Sequence, residues 1–106
     1  MNSREKGARG ERELAEKLRQ YGYGDARRGQ QFRGGEESPD VLGLPGIHIE
    51  CKRVEHLNIY EAIEQSKRDA VISIPAVFHR KNNKAWLVTM ELEDFMAIYK
   101  AWEERL

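Results

Sequence analysis

The stretch "PDVLGLPGIHIECK", from Pro39 to Lys52, constrains the fold of this chain more than any other. Its second half alternates, and alternate side chains of a β-strand share a face. Ile47, Ile49 and Cys51 therefore point one way, into a core, and His48, Glu50 and Lys52 point the other way. The run "LPG" between the two halves is a tight-turn signal. It is expected to fold the short strand "PDVLG" back beside "IHIECKRV", so that Asp40 lies next to Glu50. Two carboxylates that close repel each other unless something neutralises them. A divalent cation does so, and hard oxygen donors suit Mg²⁺ or Mn²⁺. Lys52 would project beside Glu50, roughly 6.5–7 Å along the strand. It cannot ligate a metal while charged, but it can orient a water or stabilise negative charge building on a phosphoryl group. The plainer reading of the same residues is a salt bridge between Lys52 and either carboxylate.

The rest of the chain frames this hairpin. A first helix is expected from Asn2 or Ser3, either of which can cap it, to about Tyr21, with Gly22 and Gly24 ending it. Glu11, Leu14, Ala15 and Leu18 stand at i, i+3, i+4 and i+7 on one face, so Glu11 lies on the inward stripe while Glu13 and Glu16 point away. A carboxylate on a buried face needs a partner. Residues 25–33 form a weaker strand candidate. A second helix is expected from Asn58 or Ile59 to Val71, with Ile59, Ala62, Ile63, Ser66 and Ala70 on one side. The strands "PAVFHR" and "KAWLVTM" follow, joined through "KNN", whose asparagines tolerate a left-handed backbone. A last helix runs from about Leu92 to Glu104, with Phe95, Ile98, Tyr99, Trp102 and Leu106 in register. The order αβββαββα makes an α/β or α+β domain, a small sheet flanked by helices. At 106 residues, one domain spanning 1–106 is expected.

"SPD", a turn and "IECK" resemble the PD-(D/E)XK nuclease superfamily. Within it, "KGARGERELAEKLRQYGYGDARR" is similar to the opening of the archaeal-type Holliday junction resolvases and their phage and bacterial relatives. The resemblance covers residues 4–53 and extends more loosely through "EAIEQSKRDA" and "IPAVFHR". It implies a restriction-endonuclease-like fold with a central mixed five-stranded sheet. It implies Asp40, Glu50 and the backbone carbonyl of Cys51 as metal ligands, Lys52 as catalytic lysine, and Glu11 completing the acidic site through a water. Gln65 resembles the glutamine on the helix after the motif. The implied reaction is Mg²⁺- or Mn²⁺-assisted hydrolysis of DNA phosphodiesters, leaving a 5′-phosphate and a 3′-hydroxyl. The implied substrate is a four-way junction cut symmetrically by a homodimer.

Eighteen Lys and Arg balance eighteen Asp and Glu, so net charge alone does not announce a nucleic-acid binder. Yet residues 1–33 hold nine basic against five acidic residues. Under the resemblance, Arg4, Lys6, Arg9, Arg27, Arg28 and Arg33 become candidate phosphate contacts, and "RRGQQFRGG" a mobile loop flanking the site. The lone Cys51 allows no disulfide within the chain, and the N-terminus carries no apolar signal core, so a reducing, cytoplasmic setting is expected. The same motif serves nucleases of ends or flaps. A non-catalytic DNA-binding module on the same fold is the alternative from another class. Retention of Glu11, Asp40, Glu50 and Lys52 together favours activity.

Overall fold

The computed structural model describes residues 3–29 and 39–106, with side chains from Glu5 onward. Its elements are α1 (Ser3–Gln20), β1 (Arg27–Arg28), β2 (Val41–Leu42), β3 (Ile47–Arg53), α2 (Ile59–Asp69), β4 (Ile74–Arg80), β5 (Leu87–Thr89) and α3 (Leu92–Glu103). The expected order αβββαββα is thus found. The five strands form one mixed sheet in the order β1-β2-β3-β4-β5. β2 runs antiparallel to its neighbours β1 and β3, β3 and β4 are parallel along their full lengths, and β5 returns antiparallel to β4. A parallel pair needs a crossover, and α2 supplies it.

The two faces of β3 are covered by different helices. On one face, Leu14, Ala15 and Leu18 of α1 pack with Val41, Ile49, Ala76 and Phe78, and Ile47 and Cys51 join from the side. On the other, Ala62 and Ile63 of α2 pack with Val77. The alternation in "IHIECK" is therefore obeyed, but both faces are buried: His48, Ile49 and Glu50 are each at most 3% exposed. α1 comes down close on the sheet because residue 10 is a glycine. A Cβ there would sit 2.5 Å from the Cβ of Arg53.

Several elements are shorter than their patterns suggested. α2 ends at Asp69 because Ala70 turns extended (ψ 140°) while its N–H still donates to the Ser66 carbonyl, so Ala70 and Val71 leave the helix. At its start, Asn58 accepts the Glu61 N–H as the expected cap. Of the candidate strand at 25–33, Arg27 and Arg28 are strand among the described residues, with 30–33 lying outside them, and "KAWLVTM" contracts to three. Asn83 takes the left-handed backbone (φ 61°) in the β4–β5 turn. The largest departure is α3. Its apolar residues are in register, yet none is buried, and α3 packs against no other helix or strand to any appreciable extent among the described residues.

Candidate active site

Asp40 sits just ahead of β2, between the β1 and β3 sides of the sheet, and "LPG" returns the chain after β2 toward β3 as expected. Its N–H donates to the Ile49 carbonyl at 2.8 Å, and its carbonyl accepts the Gly29 N–H at 2.9 Å. Its carboxylate is held as well: Oδ2 accepts the backbone N–H of Cys51 at 2.8 Å. The aspartate therefore bridges the two strands and has little freedom to turn away.

Glu50 and Lys52 project from the opposite side of β3, under α2. Lys52 Nζ lies 3.5 Å from Glu50 Oε2 and donates to Gln65 Oε1 at 3.3 Å. Gln65 thus faces the sheet, and Ser66 beside it donates to the His48 carbonyl. Burial raises the Glu50 pKa to about 7, with the negative charge of Asp40 adding to the effect and Lys52 opposing it. Burial likewise pushes the Cys51 thiol upward, helped by the charge of Asp40. Cys51 is then a half-buried apolar side chain, not a nucleophile.

Glu11 approaches from the α1 face. It is 7% exposed, and its Oε1 accepts from Arg28 Nε at 2.9 Å. Burial raises its pKa, the Arg28 bond lowers it, and Asp40 raises it again. The inward-facing carboxylate predicted from the helix register has its partner, and that partner is one of the arginines expected to touch phosphate. Asp40 perturbs both Glu11 and Glu50, which lie on opposite sides of the sheet. No group of three His, Cys, Asp or Glu side chains is gathered for a metal among the described residues.

The available donors are narrower than four converging residues, but their chemistry suits a hard cation. Asp40 and Glu50 are carboxylates that destabilise each other's charge, the situation a divalent ion relieves. A peptide oxygen adds to them. Odd-numbered residues of β3 turn their backbone groups toward β2: Ile49 accepts from Asp40, and Cys51 donates to its side chain. The Cys51 carbonyl points to that same edge, where Pro39, the residue before Asp40, has no N–H to offer it.

Of the other expected phosphate contacts, Lys6, Arg9 and Arg27 are exposed. Arg27 donates to the Asp25 carbonyl at 2.8 Å. Arg33, most of the loop "RRGQQFRGG" and the side chain of Arg4 lie outside the described residues.

The structure adds a cluster that the helical register misassigned. Glu13 does not point away: it accepts from Arg53 at 3.3 Å and from Arg80 at 2.5 Å. Glu13, Arg53 and Asn82, which accepts from Arg53, line a cleft flanked by Lys6 and Arg9 at the end of β3. Strand alternation could have found Arg53, which shares a face with Cys51. Comparison with family models, curated proteins and solved structures returned no match, so this site is read from its own geometry.

Proposed function

We propose that this chain is a metal-dependent DNA endonuclease of PD-(D/E)XK type, and most specifically a Holliday junction resolvase acting as a homodimer in the cytoplasm. One observation carries the reading. A hairpin holds Asp40 against the Cys51 N–H while Glu50 and Lys52 stand paired on the adjacent strand with Gln65 behind them. A strand-edge aspartate, a strand glutamate and a lysine two residues on are what the resemblance in "SPD" and "IECK" calls for.

A bound Mg²⁺ or Mn²⁺ would supply Lewis-acid polarisation of the phosphodiester and a more acidic water. Asp40, Glu50 and the Cys51 carbonyl are the groups that would hold it. Lys52 is fixed between Glu50 and Gln65, so its ammonium is placed in advance for negative charge developing on the phosphoryl oxygens. Glu11, buried and held by Arg28, shapes the acidic side of the site without being free to move. Lys6 and Arg9, at the mouth of the neighbouring cleft, contact backbone phosphates. No base-reading element is evident among the described residues, so the substrate is selected by shape. Paired cuts in a four-way junction need two sites related by a two-fold axis, hence the homodimer.

The test is cleavage of a synthetic four-way junction and a matched linear duplex with Mg²⁺, using wild type and Asp40→Ala. Paired symmetric nicks confined to the junction support resolution. Equal cutting of the linear duplex removes the junction specificity and keeps a nuclease of ends or flaps. No metal-dependent cutting of any substrate leaves the DNA-binding module as the function of this fold.

A further inference from the structure

Helix α3 carries an apolar face that the described residues leave uncovered. Leu92, Phe95 and Trp102 are 74%, 48% and 54% exposed, and no α3 residue is buried. Phe95, Tyr99 and Trp102 stack on one another along the helix, with centroids 6.3 and 5.5 Å apart. They form a continuous aromatic ridge. The same chain also leaves a groove open. On the α1 side of the sheet, between the C-terminal half of α1 and the β4–β5 edge, lies an apolar trough. It is lined by Leu14, Leu18, Tyr21, Phe78, Trp86 and Val88. α1 lies over β1 to β3 and its side chains reach Ala76 and Phe78 of β4, so this trough is the unfilled end of the main core.

The α3 of one chain does not reach its own groove. Only Met90 and Glu91 join β5 to α3, and α3 packs against no other helix or strand to any appreciable extent among the described residues. Glu91, the residue preceding α3, is tied by Lys67 of α2 at 3.2 Å. The helix therefore departs from the α2 side, while the groove opens on the α1 side. Charge fits a second copy as well. The segment from Glu91 to Leu106 holds five acidic residues (Glu91, Glu93, Asp94, Glu103, Glu104) against Lys100 and Arg105. The groove rim carries Lys17 and Lys84, while its acidic members Glu13 and Glu16 are already engaged by Arg80 and Arg19.

We infer that two copies of this chain exchange their C-terminal helices, the α3 ridge of each filling the α1–β5 groove of the other. Such an exchange is reciprocal and closes on itself with two-fold symmetry, so it yields a dimer and no filament. It supplies the contact for the homodimer of the proposed function, and its test is separate from that of the nuclease reading, because no metal or DNA enters the contact.

The experiment is sedimentation velocity of the full chain without DNA or metal, from sub-micromolar to tens of micromolar. The wild type is expected to be a dimer at the upper end. Phe95→Glu on the ridge and Val88→Glu in the groove are each expected to raise the dimer Kd at least tenfold, with far-UV circular dichroism unchanged. Both positions are exposed in the single chain, so neither substitution should unfold it. Two single-cysteine chains in a Cys51→Ala background, Met96→Cys and Lys17→Cys, are then mixed and oxidised. A disulfide between the two chains supports the exchange. A wild type that stays monomeric throughout overturns it. So does a dimer indifferent to both glutamates, which would place the contact elsewhere. A disulfide formed within a monomeric chain carrying both cysteines would show that α3 folds onto its own groove, and that also overturns the exchange.

Discussion

β3 and α3 break the usual rule of burial in opposite senses. β3 places charge inside: Glu50 is 3% exposed, and Lys52 is half-buried beside it. α3 places apolar surface outside, with half or more of Leu92 and Trp102 in solvent. In β3 each charge has a partner within the chain, but the arrangement is uncomfortable, since Asp40 and burial together push Glu50 toward protonation. In α3 the apolar face finds no appreciable cover among the described residues. A buried charge is costly unless it is paired, and a large exposed apolar patch marks an interaction surface. Under the proposed function the first region serves an ion and a phosphate, and under the inferred exchange the second serves another copy of the chain, so damage to each should be read differently.

The largest effect belongs to Asp40. Asp40→Ala removes the carboxylate that joins the two strands at Cys51 and should lower metal-dependent cleavage at least about a thousandfold, roughly 4 kcal/mol. Metal binding followed by calorimetry should weaken in parallel. Next is Lys52→Ala, with turnover down about a hundredfold, near 3 kcal/mol. Binding of the junction, measured by gel shift in Ca²⁺, should be kept. If binding fell and cutting persisted, Lys52 would be a phosphate anchor and its place against Glu50 incidental.

Glu50 links the site to stability. Its carboxyl holds a proton up to about pH 7 in the native chain, against about 4.5 for an ordinary glutamate. Between those values the native state binds more protons than the unfolded one, so metal-free stability falls as pH rises through that window. The loss should be on the order of 3 kcal/mol by pH 8. Glu50→Gln should flatten the profile in urea unfolding at pH 5 and pH 8. Addition of Mg²⁺ should restore wild-type stability at pH 8 and leave the variant unmoved. A flat wild-type profile would mean that Glu50 is already charged and comfortable, and the contrast between the two regions would shrink.

Arg28→Met comes below these, near 1 kcal/mol by thermal unfolding, because it leaves the Glu11 carboxylate buried without the bond at 2.9 Å. The penalty should be smaller at pH 5 than at pH 8, since Glu11 already leans toward its protonated form.

What could be read from sequence follows the range of the forces involved. The faces of β3 were legible because strand alternation is local, and the return of Asp40 was legible because "LPG" is a local turn. Gln65 facing Lys52 came with the resemblance and not from periodicity. The Arg28 partner of Glu11 lies 17 residues away, across a strand of two residues whose pairing no local pattern encodes. Glu13 was misassigned because a single inward stripe suffices for a helix lying flat. α1, brought close by Gly10, also reaches the ends of β3 and β4 with its neighbouring face. For α3 the register was legible and its consequence was not: amphipathicity defines a face without saying what covers it.

The smallest effect sharpens the comparison from the α3 side. In dilute solution, where any dimer has dissociated, Phe95→Ser should change unfolding free energy by less than about 0.5 kcal/mol, as for a surface substitution. Phe78→Ala in the α1-side core should cost about 3–5 kcal/mol under the same conditions. Both remove an aromatic ring, so the gap between them measures how little of the monomer's stability depends on α3. Raising the concentration should then make the Phe95 variant fall behind wild type, because wild-type stability would gain from association while the variant's would not. An effect of Phe95→Ser that is large and independent of concentration would place α3 within the fold of the single chain. It would then belong with β3 among the parts that hold one molecule together.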